Sequence, residues 1–338
     1  MPGALCLASI MFDGHQACGD IVAERKGVLR QRMRAVVATL SAFWVLAVAP
    51  PGSALAWNDT GHQVVALIAW DHLREPTRQT IVALMAQSTS EPLTALLPQD
   101  GRPLAVRQRE FFVRASTWAD LIRGTADDRP TWHHRSFFWK QDNGQAVDVP
   151  DVEVNDQNVI ERLAAIEGIL REGSRPVPER AMFTAWLLHL AGDIHQPLHS
   201  ASRVTPEEPH GDRGGNFFLL DVRPNGERNN LHAYWDGLLD QVFPRGPQEN
   251  GSAYLRRLAN VAKAAHPRNT MAAVLKLGKF EDWARESFAE AKNAYPPSLE
   301  RDQAPPPSYL TAGGKVALKR VARAGYRLAA TLEELLGQ

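Results

Sequence analysis

The segment from Pro178 to Ile194 constrains this chain most. It reads as a strongly apolar helix that opens on a proline, and Pro197 must end it, because proline lacks an amide hydrogen and its ring clashes with the preceding turn. His189 and Asp193 stand four apart on that helix, so both project from one face, one turn apart. The rest of the pattern is helical as well. Asn58 or Asp59 caps a helix running toward Leu73, which Pro76 stops, and apolar residues recur at three- and four-residue spacing in Gln79 to Ala86 and Glu110 to Ile122. Asn155 to Leu170 repeats the pattern, with Asp156 as its cap and Gly173 past its end. Further helices are expected near Asn230, from about Tyr254 to Ala264, from Phe280 to Ala294 and from Gly314 to Leu336, with prolines 296, 297 and 305 to 307 looping between the last two. Phe217 to Val222 reads as a short strand leading into Asn225-Gly226, a good hairpin turn. No internal repeat and no Gly/Ser-rich linker divides the chain. The expected architecture is all-α, one domain over residues 57–338, with a small β-hairpin.

Ahead of that domain, Val36 to Ala49 is an apolar run of 14 residues, short of the ~20 that span a bilayer. Arg30, Arg32 and Arg34 precede it, Pro50 and Pro51 end it, and Ala54-Leu55-Ala56 follows with small residues spaced as a processing enzyme requires. Residues 1–56 therefore read as a secretory signal with an upstream extension, Met33 being an alternative start, and cleavage is expected between Ala56 and Trp57. Both cysteines, Cys6 and Cys18, lie upstream of that site, so no disulfide can staple the mature chain. The whole sequence balances 38 basic against 38 acidic residues; five basic and three acidic ones fall in residues 1–56, which leaves the mature chain at net −2. A scaffold that holds nucleic acid by bulk positive charge is excluded.

Histidine and aspartate carry the chemistry. His189 and Asp193 recur as a spacing in His232 and Asp236, although two such pairs among eleven histidines are near chance. The combination is not: His189 to His199 holds two imidazoles and a carboxylate beyond His195, across a helix end fixed by Pro197, with the second pair downstream. Between them Arg213-Gly-Gly-Asn216 offers backbone that a neighbour can approach closely. Upstream stand His62, Trp118-Ala-Asp120 and Trp132-His133-His134. Imidazole and carboxylate without thiolate are the donors of catalytic zinc, and their number exceeds one tetrahedral ion's needs.

In this order, Trp57, Gly61-His62, Trp118-Ala-Asp120, His133, His189 to His199, Gly214-Gly-Asn216 and Leu231-His232 through Trp235-Asp236 resemble the three-zinc, single-strand-specific nuclease and 3′-nucleotidase family, the secreted S-one/P-one type. The resemblance spans Trp57 to Asp236 and continues more weakly through Trp283-Ala-Arg-Glu-Ser287 to the last helix. It implies a fold shared with zinc phospholipase C and three zinc ions per chain. The α-amino nitrogen and carbonyl oxygen of Trp57 would chelate one zinc with His62. Asp120, His133 and His189 would hold a second, Asp193 would bridge the two, and His199, His232 and Asp236 would hold the third. Asp120 and Asp193 would be the catalytic carboxylates. Arg123 matches a phosphate-contacting position, or is a solvated helix charge; Asn216 matches a base- or phosphate-binding position, or is a turn asparagine.

Two departures stand out. Where the family places Phe or Tyr and then an acidic or amide residue to hold the base, this chain reads His134 and Ser136. His134 can still stack on a base and could compete with His133 as ligand; His133 is preferred because Trp132-His133 aligns better with bacterial members. The implied activity is hydrolysis of single-stranded DNA and RNA to 5′-phosphates and release of phosphate from 3′-nucleotides, by a secreted or periplasmic enzyme with no stable protein partner and no membrane role. A zinc phospholipase C is the alternative, disfavoured by Asp236, where that family tends to have Glu, and by the Gly-Gly-Asn segment. A non-catalytic zinc-binding protein would need neither an open coordination position nor a bridging carboxylate.

Overall fold

Asn58 starts the first helix with its own side chain, whose oxygen accepts from the Gly61 amide at 3.2 Å. The computed structural model describes residues 57–150, 157–222 and 228–337, and the expected signal segment and the expected Asn225-Gly226 turn lie outside them. The helices are α1 (Asp59–His72), α2 (Glu75–Met85), α3 (Glu91–Thr94), α4 (Leu104–Ala115), α5 (Trp118–Leu121), α6 (Val159–Glu172), α7 (Val177–Asp193), α8 (Leu231–Asp236), α9 (Leu238–Val242), α10 (Gly251–Ala265), α11 (Phe280–Ala291) and α12 (Pro307–Leu336). The fold is all-α, with only a few short strands. No helix among the described residues is long and apolar enough to cross a membrane.

Helix α7 lies at the centre. Every residue from Thr184 to Asp193 is buried, as an all-round apolar helix must be. Helix α1 is buried from Val64 to Trp70 and crosses α12 where Gly325 lets the two backbones close; a Cβ there would sit 2.6 Å from that of Ile68. One hydrophobic core runs through these elements, from Trp57 to Leu332.

The structure corrects several boundaries. Pro76 not only ends α1 but sits in the first turn of α2, where its missing N–H costs nothing. The expected Glu110–Ile122 helix is two, α4 and α5, because the hydroxyls of Ser116 and Thr117 bond the carbonyls of Val113 (2.7 Å) and Arg114 (3.0 Å) and stop the ladder. Asn158 caps α6, bonding Ile160 and Glu161; Asp156 lies outside the described residues, and Gly173 closes the helix in a left-handed conformation. The last helix begins at Pro307, a turn and more before Gly314. The expected strand starts only at Leu219, forming β4 (Leu219–Val222) antiparallel to β5 (Arg228–Asn230). A sheet not expected from the sequence joins β1 (Phe137–Asp142), β2 (Gln145–Val149) and β3 (Ala201–Arg203) in the order β2-β1-β3. Its hairpin turns on Asn143 (φ 48°) and Gly144 (φ 80°), the positive φ pair of a two-residue hairpin loop.

The end of α7 is clamped by the last two long helices. The carbonyl of Ile194 accepts from Ser287 Oγ at 2.5 Å, and that of His195 accepts from Arg320 Nε at 3.0 Å. His195 donates Nδ1–H to Ala191 (2.8 Å) and accepts at Nε2 from Arg327 (2.9 Å), so it serves the chain reversal and is spoken for on both nitrogens. Glu286 ties Arg320, Arg323 and Arg327 together at 3.3, 2.8 and 2.8 Å. Burial would raise the Glu286 carboxyl, but Arg327, Arg323 and Arg320 bring it down to about 2. A carboxyl lowered in the folded state stabilises the fold fully above its unfolded value near 4.5, and that contribution is lost as pH falls toward 2. Glu286→Gln should therefore melt below wild type at pH 6, with the gap closing as pH drops from 4.5 to 2. Thermal melts across that range check it; a gap independent of pH would reject the ion-pair role.

Candidate metal centre

Six chain segments deliver the predicted donors to one place. The last turn of α7 presents His189 and Asp193, α1 presents His62, and α5 presents Asp120. His133 ends the 3-10 turn Pro130–His133, His199 lies in the 3-10 turn Pro197–Ser200 that Pro197 opens, and α8 carries His232 and Asp236. All are buried except Asp120, which is 11% exposed at its side chain. Their donor atoms gather into three groups able to hold a metal ion: His62, Asp120 and His189; His133, His189 and Asp193; His199, His232 and Asp236. The third group is the one the resemblance implies. In the other two His189 is common to both, and Asp193 spans them, with Oδ2 at 2.9 Å from His133 and 3.2 Å from His189 and Oδ1 at 3.3 Å from His62.

Backbone carbonyls fix the tautomers. His199 Nδ1 lies 2.7 Å from the His133 carbonyl, and His232 Nδ1 lies 2.9 Å from the Gly214 carbonyl. A carbonyl only accepts, so each Nδ1 carries a hydrogen and each Nε2 of a neutral ring keeps its lone pair. Those two Nε2 atoms face each other at 3.1 Å. Burial drives His199 down to about 3, Asp193 opposing, so this ring is neutral at neutral pH. Two nitrogens bound at ~2.0–2.1 Å to one tetrahedral zinc would lie about 3.3 Å apart, close to this spacing. His189 repeats the device: its Nδ1 donates to Ser116 at 2.8 Å, the carbonyl freed where α4 ends, and its Nε2 faces His133 Nδ1 at 3.0 Å and Asp120 at 3.8 Å.

Both nitrogens of His62, His133 Nε2, Asp193 Oδ1 and Asp236 Oδ2 are buried without a hydrogen bond. One such atom costs about 1–3 kcal/mol, and a cation bound among them would remove that cost. Charge coupling in the centre is strong. Burial would raise Asp193, but His189, His133 and His62 hold it well below the usual carboxylate range; burial lowers His189, yet Asp193 and Asp120 push it up to about 9. Burial pushes Asp236 well above its usual value, with Gln196 opposing.

The remaining predicted residues stand ahead of α1, just after α5, ahead of β1 and ahead of β4. His133 is turned inward and His134 outward. Arg123 pairs with Asp120 at 2.6 Å, three residues before it. Asn216 is half-buried and donates Nδ2–H to the Arg213 carbonyl at 2.8 Å, a turn bond, and Ser136 is half-buried beside β1. Trp57 is fully buried against Gly61, and the next amide, of Asn58, donates to the Asp236 carbonyl at 3.2 Å. The glycine pair is approached by the protein itself: a Cβ on Gly214, at φ 65°, would meet the Leu198 carbonyl at 2.3 Å.

Sequence reasoning missed Gln196. Fully buried, it donates Nε2–H to Asp236 Oδ1 at 2.6 Å while its Oε1 accepts from the Leu198 amide at 2.5 Å, which leaves Asp236 Oδ2 aimed at His232 Nε2, 3.7 Å away. Its place inside the His189–His199 run was the available signal. An aromatic wall of Trp118, Trp132 and Trp186, the last 5.5 Å from the His133 ring, was also unread.

A helical protein that buries three abutting His/Asp groups around one helix end has the make-up of a multi-metal hydrolase. Residues 57–337 match the S1/P1 Nuclease family, and the chain belongs to it; the fold is that of the zinc phospholipase C-like all-α proteins. Nuclease S1 of Aspergillus oryzae is 28% identical over 184 residues, 53% of each chain. Endonuclease 3 of Arabidopsis thaliana is 26% identical over 204 residues, 55% of each chain. The match thus spans about half the length of these relatives. Endonuclease 2 of Arabidopsis thaliana is 22% identical over 332 residues, 89% of this chain and 97% of that protein.

The Gln196 bond gives a test independent of any activity. Gln196→Leu leaves Asp236 Oδ1 and the Leu198 amide buried without partners, so unfolding in denaturant should become easier by about 1–3 kcal/mol. Stability within a few tenths of wild type would show the bond to be dispensable.

Proposed function

We propose that the mature chain begins at Trp57, is secreted or periplasmic, holds three zinc ions, and hydrolyses single-stranded DNA and RNA to 5′-phosphate products and 3′-nucleotides to nucleosides and phosphate. The observation that carries this reading is the 3.1 Å confrontation of the His199 and His232 Nε2 atoms, supported by the buried donors that lack hydrogen bonds. Trp57 and His62 would hold one ion; Asp120, His133 and His189 a second, with Asp193 shared; His199, His232 and Asp236 the third. When bound, zinc supplies Lewis-acid polarisation of phosphoryl oxygen and lowers the pKa of water.

The chain's own groups then have distinct tasks. Burial would raise the Asp120 carboxyl, but His189, His62 and Arg123 keep it below its usual value, so at neutral pH it is a carboxylate on the solvent edge of the centre. It can orient the attacking water and accept its proton. Arg123, held beside it at 2.6 Å, can meet a phosphate oxygen. Asp193, fully buried, keeps three imidazoles turned inward. His134, Ser136 and Asn216 line the approach and would contact the base or sugar. A recessed centre favours single strands, because the phosphate must be drawn in with its base unstacked. Family membership favours a nuclease over a phospholipase C.

Zinc loss and Asp193 give one test. Elemental analysis should find about three zinc ions per active chain, and chelation should abolish hydrolysis and lower the melting temperature, since structural zinc binding is folding free energy. Asp193→Ala should be the most damaging single change; activity near wild type would refute the shared ligand, and one zinc per active chain would refute the cluster. Parallel assays on single-stranded DNA, duplex DNA, 3′-AMP and phosphatidylcholine separate the two enzyme classes.

The N-terminus gives another. An α-amine of free pKa ~7.7–8.0 must lose its proton to bind metal, so zinc affinity there should fall as pH drops. A chain beginning Gly-Trp57 should lose most 3′-AMP hydrolysis while keeping its helical circular dichroism. Equal rates for the two forms would remove Trp57 from the ligand set.

A further inference from the structure

We propose that Arg213 and Phe217 form a nucleotide-binding rim of this centre, Phe217 stacking a base of a single-stranded substrate and Arg213 contacting an adjacent phosphate. The proposal rests on the nuclease reading above and names two residues that reading does not use.

The loop holding them is fixed to the His199, His232 and Asp236 group. The Gly214 carbonyl takes the His232 ring N–H at 2.9 Å, and the Gly215 carbonyl takes the His232 backbone N–H at 3.4 Å. Arg213 and Phe217 therefore bracket the two carbonyls that hold one donor of the centre. The loop is also closed on itself: the Phe217 amide donates to Asp212 at 3.1 Å, the Phe218 amide to Gly215 at 3.2 Å, and Asp212 is buried and holds the Tyr295 hydroxyl at 2.7 Å. Arg301, paired with Glu208, anchors the Phe217 carbonyl at 2.6 Å.

Within that rigid frame the two side chains are oddly spent. Phe217 is 42% exposed, the only aromatic among the exposed large apolar side chains of the described residues. Arg213 is exposed, no carboxylate pairs with it among the described residues, and its backbone sits at φ 53°. A left-handed conformation is disfavoured for a non-glycine residue. The Arg213 guanidinium lies 5.1 Å from the Phe217 ring centroid, but an exposed cation–π contact returns less than that strain costs. Local stability therefore does not account for arginine at this position, where glycine would serve the backbone better.

Position supplies the missing reason. The loop that carries both side chains holds His232 through the Gly214 and Gly215 carbonyls, and His134, next to the buried His133, is likewise solvent-exposed. Arg213 adjoins Gly214, whose carbonyl holds the His232 ring, and so stands beside the His199, His232 and Asp236 group. A flat ring beside a guanidinium suits a base next to a phosphate, and stacking is tolerant of base identity. It also supplies the aromatic surface that His134 only partly provides.

The test is a double-mutant cycle between protein and substrate, using oligothymidylate and the same oligomer with every base removed, on the zinc-loaded chain. One stacked base is worth ~1–3 kcal/mol, so the loss in kcat/KM on base removal should be about tenfold smaller in Phe217→Ala than in wild type, with Phe217→Tyr restoring it. Arg213→Gly should lower kcat/KM on oligothymidylate about tenfold while its melting temperature stays equal or rises, a combination that a structural role alone would not give. Equal base-removal penalties in wild type and Phe217→Ala, or unchanged kcat/KM in Arg213→Gly, overturn the rim while leaving the nuclease reading intact. A wild-type protein that cuts neither oligomer overturns both.

Discussion

Asp193 is an ionised carboxylate with no solvent exposure, surrounded by His62, His133 and His189. Moving such a charge out of water costs several kcal/mol unless partners gather round it. The architecture meets that demand by bringing α1, α7 and the turn ending at His133 to one point. Removing any of those elements would strand the charge, so the helical core and the centre are one cooperative object.

The next layer is made of backbone carbonyls. Ser116, His133 and Gly214 each hold one histidine Nδ1–H and thereby turn Nε2 of His189, His199 and His232 inward. Each carbonyl is available because regular structure stops there: the hydroxyls of Ser116 and Thr117 break a helix, a 3-10 turn ends at His133, and Gly214 adopts a left-handed conformation. The Ser287–Arg320–Arg327–Glu286 clamp does comparable work just past the C-terminal end of α7, fixing the reversal that separates Asp193 from His199. Irregular backbone is thus where the donors are aimed, on a frame of buried helices.

Charge is used locally. The chain balances 38 basic against 38 acidic residues, so on the proposed reading attraction for a polyanion would come from a few groups, Arg123 and Arg213 among them. Such a surface suits short contacts with a flexible strand better than wrapping of a duplex.

Local signals in the sequence determined the helices: the Asn58 cap, the Gly173 stop, and the spacing that puts His189 and Asp193 on one face were all legible, because they depend on neighbours within a turn or two. The ordered His/Asp motifs carried the family. The Asn143-Gly144 hairpin was equally local and was simply not read. The Ser116 and Thr117 hydroxyls that part α4 from α5 and the Arg213–Phe217 contact are local as well. Tertiary structure alone decided that His133 faces in and His134 out and that Gln196 orients Asp236. These outcomes turn on which distant backbone or side chain completes a buried hydrogen bond or compensates a buried charge. Such partners lie dozens of residues away along the chain, 56 in the case of His189 and His133, where spacing and propensity carry no information about contact.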